Sequence, residues 1–200
     1  MASRGPTILE RQLAGEPEPA RATPRDAFAL AERSFEAGER VDMHAIATEL
    51  GVSRTTLYRW AGSKELLIGE VLWARTARTL DRVIADAEAR PDRVAAVLER
   101  CTRLIARDPA LARFLERDPE FALRVLTTKQ SQVQRRTTAA LVALLEEDVA
   151  AGRLAPGMDL ETLAYVLVRI AESFLYSNVI TGEPVDVEKA ADAFRAVLRA

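Results

Sequence analysis

Residues 45–60 read Ala45-Ile-Ala-Thr-Glu-Leu-Gly-Val-Ser-Arg-Thr-Thr-Leu-Tyr-Arg-Trp60. Two helical patterns meet at Gly51, and the second holds one strong core residue, Leu57, among Arg54, Thr55, Thr56, Tyr58 and Arg59. With Leu57 pointing inward, steps of 100° per residue place Thr55 and Arg59 on the far side, flanked by Thr56 and Tyr58. Arg54, Trp60 and Ala61 lean back toward the core. Asp42 and Ser53 stand at N-cap positions, and the pairs Val41/Ile46 and Val52/Leu57 repeat one hydrophobic staple. Ile46, Ala47 and Leu50 form the inner face of the first helix, and Gly51 permits a sharp turn. The pattern is a helix-turn-helix.

Such a second helix fits the major groove of B-DNA, which admits one α-helix. Arginine can fork onto guanine, and threonine can hydrogen-bond a base or meet a thymine methyl. The helix N-terminus after Ser53 offers amides to a phosphate. The plainer alternative is a solvated helix in a helical protein. The doubled staples, the placed caps and the absence of any acid from Ser53 to Lys64 favour DNA.

Global charge adds nothing to that inference. The 200 residues carry a formal net charge of -2, and residues 1–64 hold nine basic and nine acidic side chains. Any basic surface is therefore local. Apolar residues make up 48 %, enough for a real core. A single cysteine, Cys101, excludes an intramolecular disulfide. No signal peptide or membrane-spanning run is evident, so the expected location is the cytoplasm, with no membrane partner.

Residues 1–22 are rich in Gly, Pro, Ala and charge and read as a flexible arm. From Pro24 onward the pattern is helical. Gly38 stops the first helix, Ser63 caps a long fourth one reaching about Ala89, and Pro91, Pro109 and Pro119 punctuate the next. Helical sequence then runs from Pro119 to Gly152, with a break near Thr127. Asp159 and Asp186 open the last two helices, the first of them carried through to Val179. The expected class is all-α: an arm over 1–22, a three-helix DNA-binding unit over 23–65, and a ligand-binding and dimerisation domain over 66–200.

The helix from Asp159 is apolar nearly all round, which calls for a core on one side and a partner on the other. Leu163, Leu167 and Phe174 there, with Ala190, Phe194 and Val197 on the final helix, are the expected contacts of a symmetric dimer. Two recognition helices on successive groove faces would require a roughly palindromic operator. Along 123–144 an apolar stripe is interrupted by Gln130 and Thr137. These either satisfy each other and the backbone or face a ligand cavity. Trp73, Phe114, Phe121, Tyr165 and Tyr176 are the aromatics available to line one. Arg169 and Glu172 read as a surface or interface pair.

No metal or cofactor motif is present, and nothing resembles a catalytic constellation. His44, the only histidine, falls in the second helix, and Cys101 lies on an apolar stripe. The chain is read as a regulator and not an enzyme.

Ile46 to Leu67, "IATELGVSRTTLYRWAGSKELL", resembles the signature of the TetR family of regulators, most specifically at Leu57-Tyr58 and Ser63-Lys64-Glu65. Within that family the resemblance is closest to QsdR-type regulators, through "AGERVDMHAIA", "LYRWAGSKE", "VLTTKQSQVQRR" and "RIAESFLYSNVITGEPVD". It implies an all-helical homodimer that binds double-stranded operator DNA. By that match Ser53, Arg54, Thr56, Tyr58, Arg59, Trp60 and Lys64 meet bases or phosphates, and the helical wheel adds Thr55. Trp60 departs from the more usual His or Phe, and the link after Gly38 lacks an aromatic and is one residue shorter. The resemblance further implies a repressor released by a small effector, with a lactone as one candidate. The rival reading is an effector-free architectural or partner-recruiting protein.

Overall fold

The computed structural model describes residues 21–199. Most of the expected arm, residues 1–20, lies outside the described residues. Eleven helices form all the regular structure among the described residues: α1 (Pro24–Glu36), α2 (Met43–Glu49), α3 (Arg54–Ala61), α4 (Lys64–Ala87), α5 (Arg93–Ala106), α6 (Pro109–Arg117), α7 (Pro119–Thr127), α8 (Val133–Ala150), α9 (Leu160–Leu175), α10 (Ser177–Ile180) and α11 (Val187–Leu198).

Side-chain caps explain most of the starts. Thr23 and Asp26 form a reciprocal capping box on α1. Asp42, Ser53 and Ser63 accept from backbone N–H groups in the first turns of α2, α3 and α4. Asp108, Asp118, Asp159 and Asp186 do the same for α6, α7, α9 and α11. At Gly51 the chain turns with φ +64, a conformation that a side chain would strain.

Two cores hold the chain together. The first joins α1–α3 to the N-terminal half of α4 and to α6 and α7, through Ala31, Phe35, Ile46, Leu57, Ile68 and Val125 among others. The second lies among the far half of α4, α5, α8, α9 and α11, around Val83, Val97, Leu145, Leu167 and Phe194. The long α4 runs through both, so it is the one rod shared by the helix-turn-helix unit and the rest of the chain.

The break expected near Thr127 is real. The Ser131 hydroxyl donates to the Val125 carbonyl and accepts from Val133 N–H at 3.2 Å, fastening the turn between α7 and α8. That turn lies on α4 at Gly69, where an added Cβ would meet Ser131 Cβ at 2.6 Å. The helix opened by Asp159 ends earlier than the sequence suggests, at Leu175. There Ser177 Oγ donates to the carbonyls of Phe174, at 3.0 Å, and Pro184, at 3.3 Å, and the chain re-forms as the short α10. Side-chain bonds to backbone carbonyls compete with helix continuation at such a position.

Candidate nucleic-acid interface and ligand cavity

Leu57 is fully buried, at 0 % exposure, while Arg54, Thr55, Tyr58 and Arg59 are exposed on the same two-turn helix. Val41, Ile46 and Ala47 are buried beneath it and Val52 is half-buried, so both staples are in place. The face turned away from Leu57 is polar and cationic. Ser53 and Thr56 are committed to the helix start: Ser53 Oγ accepts from Thr56 N–H and pairs with Thr56 Oγ1, both at 3.0 Å. Trp60 is half-buried against the core, in keeping with its place on the wheel, whereas Arg54 is exposed and does not lean inward.

Lys64, first residue of α4, is half-buried with its ammonium 5.2 Å from the Phe121 ring centroid. Burial, reinforced by the like charge of Arg40, pulls its pKa below the usual lysine value. It thus stands at the lower edge of the recognition helix, backed by the second domain.

A cavity of about 420 Å³ opens among α4, α5, α8 and α9, with contributions from α1, α6 and α7. Leucine, valine and isoleucine side chains make its apolar wall. Polar side chains also line it: Arg75, Thr76, Arg78, Thr79 and Arg82 from α4, Glu36 and Asp108, and Thr102, Gln134, Thr137, Glu172 and Tyr176, with the Cys101 thiol. Tyr176 and Thr102 are buried. Burial pushes the Glu172 carboxyl up, against the opposing Arg169 guanidinium at 2.5 Å, so its proton is held more tightly than in water. Burial likewise pushes the Cys101 thiol up to about 12, which leaves it unreactive as a nucleophile.

Of the residues expected to line a ligand site, Thr137 and Tyr176 face this cavity. Thr137 Oγ1 already donates to the Val133 carbonyl at 2.9 Å, so the stripe's polar interruption there is satisfied by its own helix. Gln130 is exposed in the turn between α7 and α8, because the helix it was placed on stops at Thr127. Tyr165 is 52 % exposed on the outside of α9. Trp73 lies away from the cavity under the Arg136 guanidinium, 5.9 Å from its ring. Phe114 and Phe121 line a different, smaller cavity. Sequence reasoning missed Thr102, Gln134 and Glu172, whose inward direction depends on how four helices cross.

The expected dimer contacts need the same correction. Leu163, Leu167, Ala190 and Phe194 are all at 2 % exposure or less inside the protomer's own second core, and cannot also meet a partner. Phe174 and Val197 are half-buried at its margin. The outward face of α9 carries Thr162, Tyr165, Val166, Arg169, Ile170 and Ser173, and that of α11 carries Ala193 and Ala196.

Among the described residues no group of His, Cys, Asp and Glu is arranged to hold a metal, and no helix is long and apolar enough to cross a membrane. A capped helix-turn-helix, with its cationic face free and α4 running from it into a cavity-bearing helical domain, defines a ligand-responsive DNA-binding regulator. The comparisons agree. Residues 91–199 match the family described as "Tetracyclin repressor-like, C-terminal domain". The solved structure of the R. erythropolis transcriptional repressor QsdR, of the TetR family, superposes with a TM-score of 0.82 at 28 % identity, over 91 % of this chain and 97 % of that one. A second structure, the TetR family regulator PfmR from Thermus thermophilus, aligns over 88 % of this chain and 97 % of its own, at 22 % identity and a TM-score of only 0.40. No curated protein sequence matches significantly. The chain belongs to the TetR family of transcriptional regulators, DNA-binding repressors with an effector-binding C-terminal domain.

Proposed function

We propose that α3 reads the major groove through Thr55 and Arg59, while Arg54, Tyr58 and Lys64, with the capped N-terminus at Ser53 and Thr56, hold the phosphate backbone. Trp60 acts chiefly as a wedge that fixes the helix on its core. The single observation that carries this reading is the burial of Leu57 with Thr55 and Arg59 left free opposite. Two protomers joined through the outward faces of α9 and α11 present two such helices to a roughly palindromic site. No catalytic role is assigned: Cys101 is protonated and packed, and His44 is exposed on α2.

The effector belongs in the 420 Å³ cavity. Its apolar surface suits a lipophilic body, and the polar and charged side chains that also line it supply partners for hydrogen-bonding groups on the ligand. The buried Tyr176 and Thr102 hydroxyls are the donors for acceptors among those groups. A lactone with an acyl chain satisfies that description. The cavity also favours an effector-responsive regulator over an architectural protein, which would have filled this space.

Release then follows from α4, which lines the cavity with Leu72, Arg75, Thr76 and Thr79 and carries Lys64 at its other end. A ligand that prefers a shifted α4 spoils simultaneous docking of both recognition helices. A hundredfold loss of DNA affinity requires about 2.7 kcal/mol of differential affinity between the two states. The deciding experiment is binding-site selection with wild type and Arg59→Ala. Preference should relax by about 1–3 kcal/mol at one base pair per half-site. An unchanged preference removes Arg59 from base readout.

A further inference from the structure

A second cavity, of about 350 Å³, lies where the helix-turn-helix unit meets α6 and α7, and no residue lines both it and the larger one. Its floor is aromatic. Phe35 and Phe114 have ring centroids 5.5 Å apart, and Phe114 and Phe121 meet edge to face at 6.1 Å. Its rim is cationic, with Arg40 from the α1–α2 link, Lys64 from α4 and Arg117 from α6. Among the described residues none of these three cations is within ion-pair distance of a carboxylate.

Gly38 has φ +71, and a Cβ there would meet Arg113 Nε at 2.0 Å. The Arg117 guanidinium donates to the Gly38 carbonyl. Two carboxylates, Glu39 and Asp118, also reach the wall. Asp118 is engaged in capping α7, where it accepts from Phe121 N–H at 3.1 Å. Lys64 lies over the Phe121 ring, and the three cations outnumber the two carboxylates at the wall, which suits an anion with an apolar body.

The geometry points to a second ligand site at this junction, for an aromatic carboxylate whose ring lies against Phe114 and Phe121 and whose carboxylate meets Arg40, Lys64 and Arg117. Lys64 follows the recognition helix by three residues, so the ligand competes for a cation that the Proposed function assigns to a DNA phosphate. Occupancy weakens binding to all DNA sequences alike. It leaves the base preference set by Arg59 intact, and it acts independently of the larger cavity.

The test uses the full chain, 1-naphthoate as probe and 1-naphthamide as its uncharged counterpart. Ile68 lines the junction cavity and Ile105 the larger one, so isoleucine δ1-methyl spectra of the wild type distinguish the two. Naphthoate should shift Ile68 and leave Ile105 in place, and naphthamide should bind at least tenfold more weakly. Arg40→Gln and Arg117→Gln, each shown to be folded by circular dichroism, should each weaken naphthoate tenfold or more. A shift at Ile105 without one at Ile68, equal affinity for the amide, unchanged affinity in both variants, or no methyl shift at millimolar naphthoate each overturns the proposal. The wild-type spectra decide the matter even where a variant does not fold.

Discussion

Arg75 on α4 bridges Glu36 at the end of α1, at 2.8 Å, and Asp108 at the cap of α6, at 2.6 Å. One guanidinium thus ties the helix-turn-helix unit to the second domain while itself lining the larger cavity. Arg78 adds a parallel tie to Glu32 of α1 at 2.5 Å. In the proposed release mechanism, a ligand that displaces α4 would act on α1 through these pairs as well as through the shared rod.

Arg75→Gln removes both charged bonds. The pairs are part-exposed and screened by solvent, so the loss in stability should be about 1 kcal/mol by urea unfolding. The response should be larger in coupling than in stability. Amide exchange in α1 should become insensitive to any compound that protects the cavity-lining part of α5, and undiminished transmission would show that the rod alone carries the signal.

Lys64→Ala should weaken binding to all DNA sequences alike and flatten the salt dependence by about one unit of log–log slope per protomer. A defect confined to one base pair would mean that Lys64 reads sequence. Measuring the affinity at three or more salt concentrations checks this.

Phe194 and Tyr165 separate folding from assembly. Phe194 is fully buried in the second core, so Phe194→Ala should cost about 3–5 kcal/mol in stability. Tyr165, half exposed on the outer face of α9, should be nearly neutral for protomer stability when changed to Asp. It should instead convert the dimer to a monomer by analytical ultracentrifugation. A dimer that survives Tyr165→Asp would move the interface elsewhere.

Arg93 and Asp148 form a buried ion pair at 2.9 Å, both at 2 % exposure, with Arg153 also on Asp148 and with Glu147 and Glu88 on Arg93. Asp148→Ala leaves a buried guanidinium short of its one buried counter-charge and should cost about 3 kcal/mol. Arg93→Met combined with Asp148→Leu should recover most of that by chemical denaturation, because the pair's desolvation is then avoided. Failure to recover would mean that the pair contributes net stability.

Glu172 gives the stability a pH dependence whose sign is determined. Its folded-state pKa is raised by burial, so the native state holds the proton more tightly than the unfolded chain. Its contribution is therefore full below the ordinary carboxyl value and is lost as pH rises through the raised folded value. Glu172→Gln should raise Tm relative to wild type at pH 8, with the advantage shrinking as pH falls toward 5. A constant difference across that range would mean that Glu172 is ionised throughout.

The local grammar was legible in the residues alone. Caps at Asp42, Ser53, Ser63, Asp159 and Asp186, the turn at Gly51 and the staple pairs each depend on neighbours within four or five positions, and all are found where their chemistry places them. Leu57 inward and Arg59 outward follow from helical geometry with one apolar anchor. The apolar residues of α9 and α11 were recognisable as buried, but which neighbour buries them was not. A stripe of leucines is equally content against its own subunit or a partner, and only the crossing of α5, α8, α9 and α11 assigns Leu163, Leu167, Ala190 and Phe194 to the protomer. The ligand cavity shows the same division: where Thr102, Gln134, Glu172 and Tyr176 converge depends on contacts far apart in sequence, and periodicity carries no information about what is missing between helices. Sequence alone settled the side-chain-capped helix starts at Asp42, Ser53, Ser63, Asp159 and Asp186 and the inward placement of Leu57, because those depend on short-range geometry. The tertiary structure decided what each apolar face meets and where space is left, because packing is a property of several helices at once.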